Sequence, residues 1–201
     1  MIAIIDYGAG NLRSVQKALE KVGAQTQITQ NPIDVQNASK VVLPGVGAMQ
    51  PAMDKLKALG LMDVLYETVK TDKPFLGICV GFQLLFEKSS EGRGESSEGL
   101  GILKGSVERF TSLKVPHMGW NQLNIIQQDC PLFLGINSLA EVYFCHSYYA
   151  LPVDARVTAT ATDYGKIFAS SVARNNLFGV QFHPEKSQKV GLKILENFVK
   201  L

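Results

Sequence analysis

"GICVGFQLL", from Gly77 to Leu85, has the form G-x-C-x-G and lies between an apolar run and a segment with helical spacing. The preceding "KPFLGI" predicts a buried strand, and the leucines that follow predict a helix. A strand that turns sharply into a helix at a nucleophilic residue is a nucleophile elbow, here with sulfur in place of the usual hydroxyl. Cys79 is therefore either a nucleophile or a small apolar residue packed into a tight turn.

The first half of the chain alternates short apolar runs with segments of helical period. "IAII" near the start and "VVLPGVG" from Val41 to Gly47 predict two further strands, each followed by apolar residues at helical spacing. Strands that are apolar throughout and alternate with helices are typical of a parallel sheet covered on both faces. We therefore predict a doubly wound α/β arrangement, in which the helix after Cys79 carries Leu84 and Leu85.

The second half contains strand-like segments that follow one another directly. They are "SVERF", "NQLNII", "EVYFCHSYYA", "RVTATAT", "KIFASSVAR" and "LFGVQF". Their alternation and intervening turn residues predict antiparallel strands, and the tail from Lys189 has the apolar register of a closing helix. The segment Ser89–Gly101 is rich in glycine and serine and is expected to be a surface loop. We therefore expect residues 1–201 to form one domain.

Composition excludes several classes of function. The chain has 201 residues and a formal net charge of +2, without the basic block that would follow a nucleic-acid backbone. The apolar start is too short for a signal peptide and no segment has membrane-spanning length, so we expect a cytoplasmic protein. The three cysteines lack CxxC spacing, which argues against a disulfide framework and a zinc site. The segment that begins with "DYGAGN" has two glycines of a dinucleotide fingerprint, but Arg13 occupies the position of the third glycine, which argues against nucleotide binding there.

"VQFHPEKS" contains a second group of chemically active residues. His183 and Glu185 lie two residues apart around Pro184, and side chains two apart in an extended backbone project to the same side. A carboxylate there can orient the imidazole, which would give Cys79 a base and the base an orienting group. The alternative is a histidine and an acid on a solvated turn.

"LPGVGAM" places a glycine-rich turn after a predicted strand. Ligands of open parallel sheets bind beyond the carboxyl ends of the strands, and Pro44–Gly47 would lie at that edge. Glycines there expose backbone N–H groups, which could hold an oxyanion together with the N–H of Val80. An ordinary βα turn explains the same residues equally well.

"PGVG", "GICVGFQLLFE" and "FHPEKS", in this order and spacing, resemble the class I, or triad, glutamine amidotransferases. "DYGAGN" and "PHMGWN", from Pro116 to Asn121, narrow the resemblance to the branch that serves a separate (β/α)₈ cyclase in histidine biosynthesis, over Met1–Leu201. The resemblance implies a flavodoxin-like three-layer α/β sandwich with a mostly parallel central sheet and additional antiparallel strands in the second half. It implies no cofactor and no metal.

The resemblance also implies a reaction. Cys79 would attack the side-chain amide of glutamine, His183 would act as acid and then as base, and Glu185 would orient His183. Ammonia would leave, and water would hydrolyse the glutamyl thioester. Because the triad domain accounts for the whole chain, we expect the acceptor site to belong to another polypeptide, which the resemblance identifies as a (β/α)₈ cyclase. That partner would use the ammonia to form imidazole glycerol phosphate and aminoimidazole carboxamide ribonucleotide, giving a heterodimer.

Two further sets of residues follow from the resemblance. The first would hold glutamine and its oxyanion and consists of Val46, Gly47, Val80 and Gln83. The second would contact the cyclase or line the ammonia path and consists of Asn11, Met118, Trp120 and Lys186.

Two other functions remain open at this point. A cysteine hydrolase or peptidase of related fold would use Cys79 and His183 without requiring Glu185 or the "PHMGWN" segment. A catalytically silent binding subunit would tolerate Cys79→Ala without any loss of activity in its complex. The chain also departs from the family: we would expect Leu and Met at Val80 and Phe82, and an apolar residue at Cys145. We expect Cys145 to be a buried packing thiol.

Overall fold

A computed structural model of the protein describes residues 1–91, 97–111 and 113–201. The strands in these residues are β1 (Ile2–Ile5), β2 (Thr26–Thr29), β3 (Lys40–Gly45), β4 (Phe75–Cys79), β5 (Phe86–Ser89), β6 (Ser97–Glu98), β7 (Leu103–Arg109), β8 (His117–Gln122), β9 (Asn124–Ile125), β10 (Glu141–His146), β11 (Tyr148–Pro152), β12 (Thr158–Asp163), β13 (Ile167–Arg174) and β14 (Leu177–Val180). The helices are α1 (Leu12–Lys21), α2 (Pro32–Asn37), α3 (Met49–Ala58), α4 (Met62–Lys70), α5 (Val80–Gln83) and α6 (Gln188–Lys200).

The main sheet joins a parallel half to an antiparallel half. Its strand order is β2-β1-β3-β4-β14-β13-β11-β7-β5-β6. The first five strands pair in parallel, and β14, β13, β11 and β7 pair in antiparallel fashion. A separate two-stranded sheet is formed by β8 and β10. The predicted α/β fold, parallel first and antiparallel later, is confirmed.

The helices cover both faces of the parallel half. Helix α1 connects β1 to β2 at the edge of the sheet, and α2 connects β2 back past β1 to β3. Because connections between parallel strands are right-handed, these opposite directions place α1 and α2 on opposite faces of the sheet. Two helix pairs agree with this arrangement, because α1 packs against α6 and α2 packs against α4. A strand covered on both faces must be apolar throughout, and every residue of β1 and β4 is buried.

The helix predicted after Cys79 is shorter than expected. It ends at Gln83, and the chain enters β5 at Phe86. The carbonyls of Leu84 and Leu85 accept hydrogen bonds from the backbone N–H groups of Leu100 and Leu103, at 2.7 and 2.8 Å. Pairing with a distant segment therefore replaces the next helical turn, and Leu84 and Leu85 contribute to the core from outside the helix.

The expected surface loop Ser89–Gly101 is only partly described. Its residues 92–96 lie outside the described residues. Ser97 and Glu98 form β6, which pairs with Ser89 and Lys88 of β5, so this part of the segment is a short edge strand and not a loop. Within the part of the chain that the structure describes, every helix is too short or too polar to span a bilayer.

Candidate active site

Cys79 occupies a strained backbone position between β4 and α5. Its φ is +54° and its ψ is −107°, a conformation that residues other than glycine rarely adopt. The two flanking glycines are required by the close approach of the backbone. A Cβ added to Gly77 would lie 2.6 Å from the carbonyl oxygen of Gly81, and one added to Gly81 would lie 1.8 Å from that of Leu43. Strain held in place by such packing is characteristic of functional sites.

The fold brings Cys79, His183 and Glu185 into contact. Strand β14 runs parallel to β4, with Val180 opposite Ile78, so the residues that follow β14 reach the edge where Cys79 lies. His183 and Cys79 line the same cavity, and Cys79 lies close enough to the imidazole to raise the pKa of His183. On the other side of the ring, Nδ1 of His183 lies 2.8 Å from Oε1 of Glu185, and these two side chains are only 4% and 2% exposed. The three side chains form one buried cluster, in which a hydrogen bond joins His183 to Glu185.

The electrostatics of this cluster favour a protonated imidazole. Burial alone lowers the pKa of His183, but its interactions with Cys79 and Glu185, including the charges of both groups, raise the pKa to about 10. An imidazolium at neutral pH can donate a proton to a leaving group. Because α5 has only four residues, its helix dipole is small, so the protonated imidazole of His183 is the positive charge that we expect to act on the sulfur.

A cavity of about 330 Å³ opens onto the sulfur. This volume suits a small ligand. The residues expected to bind glutamine or its oxyanion all line this cavity together with Cys79 and His183; they are Val46, Gly47, Val80 and Gln83.

The glycine turn approaches the sulfur because of strand register. Gly45, the last residue of β3, is paired with Cys79 of β4, so Val46 and Gly47 leave the sheet beside the nucleophile. Gly47 has a φ of +93°, and a Cβ built on it would meet no atom within 4 Å. The positive φ therefore explains the glycine at this position, since the surrounding space would accept a side chain.

Gln83 uses both of its amide hydrogens within the protein. Its Nε2 donates to the backbone carbonyl of Tyr148 at 3.1 Å and to Oε1 of Gln181 at 2.9 Å. Only the carbonyl oxygen of Gln83 is left to interact with a ligand. The contact expected between Gln83 and glutamine would therefore be one in which Gln83 accepts.

The residues expected to contact a partner lie on a surface beside the cavity. Met118 and Trp120 are 60% and 46% exposed on the outer face of β8. Tyr143 of β10 packs between Trp120, with ring centroids 6.1 Å apart, and Lys186, whose Nζ lies 5.7 Å from the tyrosine ring. Lys186 also lines the cavity. We call Met118, Trp120, Tyr143 and Lys186 the docking face.

Asn11 and Phe82 have simpler environments. Asn11 is exposed at the start of α1, and its side chain makes no capping hydrogen bond there. Phe82 is fully buried and lies under β14, since a Cβ on Gly179 would be 2.4 Å from the Phe82 ring. The departure at Phe82 thus affects the packing of α5 and leaves the cavity lining unchanged.

The expectation for Cys145 is wrong. Cys145 is half-buried and lines the same cavity as Cys79. The side chains of β10 alternate, so Val142 and Phe144 point into the core while Cys145 points outward. An apolar residue at this position would therefore contact a ligand and would not fill the core.

Sequence reasoning missed two residues beside the sulfur. Nε2 of Gln181 donates to Sγ of Cys79 at 3.8 Å. Gln181 lies two residues before His183, so the same alternation that places His183 and Glu185 on one side of the backbone predicts that Gln181 also faces the sulfur. The hydroxyl of Tyr7 is buried against Gly45 and has no hydrogen-bond partner among the described residues. Burial, and secondly the charge of Cys79, raise the pKa of Tyr7, so its hydroxyl stays protonated.

Comparisons with known proteins agree with this geometry. The sequence matches the family "Glutamine amidotransferase class-I" over residues 3–201. It is 52% identical to the imidazole glycerol phosphate synthase subunit HisH of Syntrophotalea carbinolica, with 98% of each chain covered. It is 51% identical to subunit HisH 1 of Campylobacter jejuni, with 100% of each chain covered.

Solved structures show the same fold at low sequence identity. One glutamine amidotransferase superposes with a TM-score of 0.77 and 16% identity over 100% of both chains. PurLQS from Thermotoga maritima gives a TM-score of 0.76 and 19% identity over 99% of this chain and 97% of that chain. From the family match and the full-length relatives together, the chain belongs to the class-I glutamine amidotransferase family, in the group of HisH subunits of imidazole glycerol phosphate synthase.

Proposed function

We propose that this protein is the glutaminase subunit of a cytoplasmic imidazole glycerol phosphate synthase, and that Cys79, His183 and Glu185 are its catalytic triad. The observation that carries the proposal is the buried cluster in which Cys79 lies beside His183 in the cavity and Glu185 holds Nδ1 of His183 at 2.8 Å. A nucleophile, a base and an orienting carboxylate in this order are the elements of triad catalysis. The match to the glutamine amidotransferase family supports glutamine as the substrate, and the HisH relatives support a role in imidazole glycerol phosphate synthase.

In the first half-reaction the sulfur of Cys79 attacks the side-chain amide carbon of glutamine. The carbonyl oxygen becomes an oxyanion, which the N–H of Val80 and the Val46–Gly47 turn stabilise. His183 gives its proton to the amide nitrogen, the C–N bond breaks, and ammonia leaves a glutamyl thioester on Cys79.

In the second half-reaction water attacks the thioester carbon. His183, now neutral, accepts a proton from that water, and the C–S bond breaks to release glutamate and restore the thiolate–imidazolium pair. Glu185 keeps Nδ1 of His183 engaged at 2.8 Å throughout, so that the other ring nitrogen faces the reacting atoms.

The ammonia must reach an acceptor without entering bulk water, because ammonium has no lone pair with which to attack. We propose that a (β/α)₈ cyclase subunit covers the docking face together with Asn11 and receives the ammonia there. Exposed Trp120 and Met118 next to the mouth of the cavity support this position. Aromatic residues and methionine are enriched in the cores of protein interfaces.

A glutaminase assay tests the proposal with the purified chain alone, with the cyclase, and with the cyclase and its nucleotide ligand. We expect glutamine-dependent ammonia release that the cyclase strongly stimulates. Cys79→Ala should abolish it, and Glu185→Gln should reduce kcat by roughly 10⁴-fold, as for the orienting acid of other triads.

The same assay separates the competing functions. Hydrolysis of peptides or esters in preference to glutamine would support a cysteine hydrolase. A Cys79→Ala complex with full ammonia-dependent and glutamine-dependent synthesis would support a silent binding subunit. Near-zero glutaminase activity of the wild type in every condition would contradict the proposed function.

A further inference from the structure

The backbone carbonyl of Tyr148 sets the direction of a hydrogen-bond chain that ends at the nucleophile. A carbonyl oxygen can only accept, so the group that Gln83 turns toward it must be the amide nitrogen, at 3.1 Å. The second hydrogen of that nitrogen then points to Gln181, which must present its oxygen, at 2.9 Å. This leaves the NH₂ group of Gln181 facing the sulfur of Cys79 at 3.8 Å.

The Tyr148 carbonyl accepts a second hydrogen bond, from His146. Nδ1 of His146 lies 2.7 Å from the same oxygen and must be its protonated nitrogen. Two donors fill the two lone pairs of the carbonyl. Gln181 is fully buried, so no water competes for its amide group. The orientation of Gln181 is thus fixed by the fold.

We propose that Gln181 is a further catalytic residue, whose N–H bond to Sγ favours the thiolate form of Cys79 and aims the sulfur at the cavity. This inference rests on the proposed function, because it assigns a role within the same reaction. Hydrogen bonding to the charged form of a group favours that form. Gln83 and the Tyr148 carbonyl act on Cys79 only through Gln181 and are positioning groups.

Alkylation of Cys79 by iodoacetamide, followed by peptide mass spectrometry across the pH range, tests the proposal without glutamine. Gln181→Met keeps a side chain of similar size but removes the N–H donor. Gln181→Glu keeps the shape but turns an oxygen toward the sulfur. We expect the rate of Cys79 alkylation at neutral pH to fall roughly tenfold or more in both variants, since a hydrogen bond to a charged group has this strength. Their pH profiles should move to higher pH.

The control is the same chemical change at another buried amide. Asn197 of α6 donates to the carbonyls of Leu132 and Leu134, away from the cavity, so Asn197→Asp should leave the alkylation profile of Cys79 unchanged. Every variant retains the titratable groups that face Cys79 or line its cavity; these are Tyr7, Glu91, Cys145, His146, Tyr148, His183, Glu185 and Lys186. A shift in Gln181→Met is therefore caused by the loss of the Gln181 donor, whereas Gln181→Glu also places a carboxylate beside the sulfur.

A wild-type measurement covers the case in which neither variant folds. In protein labelled with ¹⁵N at glutamine side chains, alkylation of Cys79 should shift the Gln181 Nε2 resonance more than that of the exposed Gln25. An unchanged alkylation profile in a folded Gln181 variant, or an unchanged Gln181 resonance, contradicts this inference alone. Absent glutaminase activity in the wild-type complex would instead contradict the proposed function.

Discussion

His146 and His183 line the same cavity, yet their imidazoles have opposite proton affinities. Burial lowers the pKa of His146 to about 3; the carbonyl of Tyr148 raises it by less, and the charges of His117 and His183 lower it further. Burial also lowers the pKa of His183, but Cys79 and Glu185 raise it to about 10. At neutral pH the cavity therefore holds one neutral and one charged imidazole.

The three histidines of the chain should titrate in three separate ranges. Burial lowers the pKa of His117 to about 4, so His117 and His146 should be neutral, and His183 protonated, between about pH 5.5 and pH 8.5. NMR of protein labelled with ¹⁵N at histidine measures each ring directly. A His183 ring that titrates near the ordinary value of about 6.5 would contradict the charged pair at Cys79.

Acid should destabilise the fold through the buried histidine pair. Nδ1 of His117 donates to Nε2 of His146 at 2.9 Å, and a proton on that accepting nitrogen would break the bond. Because both pKa values are lowered in the folded state, the unfolded chain binds protons more tightly below about pH 6.5. The free energy of unfolding should fall by as much as about 1.4 kcal/mol per pH unit for each histidine as pH decreases toward 4.

Urea unfolding of the wild type and of a His117→Gln, His146→Gln double variant measures this contribution. The wild type should lose stability more steeply between about pH 6.5 and pH 4.5, since only the wild type contains His117 and His146, whose lowered pKa values make them take up protons on unfolding. Equal slopes in the two proteins would show that carboxylates alone account for the acid sensitivity.

The parallel strands could be predicted from the sequence because burial on both faces leaves a clear pattern. Ile2–Ile5 and Phe75–Cys79 are apolar throughout and buried throughout. Strand β2, with the sequence "TQIT", was not predicted, because it lies at the edge of the sheet and its residues are mostly half-buried. An edge strand of mixed polarity resembles a loop in composition.

Some features of the site depend on residues close together in sequence, and others depend on residues far apart. The turn at Cys79 and the His183–Glu185 pair each involve only a few consecutive residues, and both could be predicted from the sequence. The bonds from Gln83 to Tyr148 and to Gln181 join residues 65 and 98 positions apart, so no local pattern contains them. The outward direction of Cys145 likewise depends on which face of the β8–β10 pair meets the core.

Gly81 should be among the least replaceable residues of the chain. A Cβ at this position would lie 1.8 Å from the Leu43 carbonyl oxygen, which is backbone and cannot move without shifting β3. We expect Gly81→Ala to reduce the free energy of unfolding by about 4 kcal/mol or to prevent folding. Gly101→Ala is the control, since Gly101 has a φ of +64° but no atom within 4 Å of an added Cβ.

That control separates steric overlap from backbone strain. Gly101→Ala should cost only about 1–2 kcal/mol, the usual penalty for an L-residue with positive φ. Urea denaturation measures both variants. Similar losses at the two positions would mean that the approach of α5 to β3 is looser than the structure indicates.

The three thiols should react with iodoacetamide in an order set by the cavity. Cys79 and Cys145 line it, whereas Cys130 is buried elsewhere, and burial, despite two opposing backbone hydrogen bonds, raises the pKa of Cys130. We expect Cys130 to be alkylated at least roughly tenfold more slowly than Cys79, because it must wait for local opening.

Bound glutamate should protect Cys79 and Cys145 together, since one ligand in the cavity covers both thiols. Cys145→Ala should retain glutaminase activity within a few-fold, because no base or carboxylate forms a hydrogen bond to its sulfur among the described residues. Peptide mass spectrometry follows each thiol. Protection of Cys79 without Cys145 would place Cys145 outside the ligand site.

Trp120 should contribute strongly to binding of the cyclase. It is 46% exposed and its indole packs edge-on against Tyr143, so its position on the docking face is set before any partner binds. A preordered aromatic residue at the centre of an interface typically contributes at least about 2 kcal/mol to binding. Trp120→Ala should therefore weaken the Kd for the cyclase by roughly 30-fold or more and reduce glutamine-dependent synthesis at limiting cyclase.

Val153→Ala is the matched control for this truncation. Val153 is 75% exposed but follows β11 at the end opposite Tyr148, so it lies away from the cavity and the docking face. The Kd of the Val153→Ala variant for the cyclase, measured by calorimetry, should equal that of the wild type. Unchanged affinity and unchanged coupled activity in Trp120→Ala would show that the cyclase binds another face, and the ammonia would then have to leave the cavity by a route that avoids Met118 and Lys186.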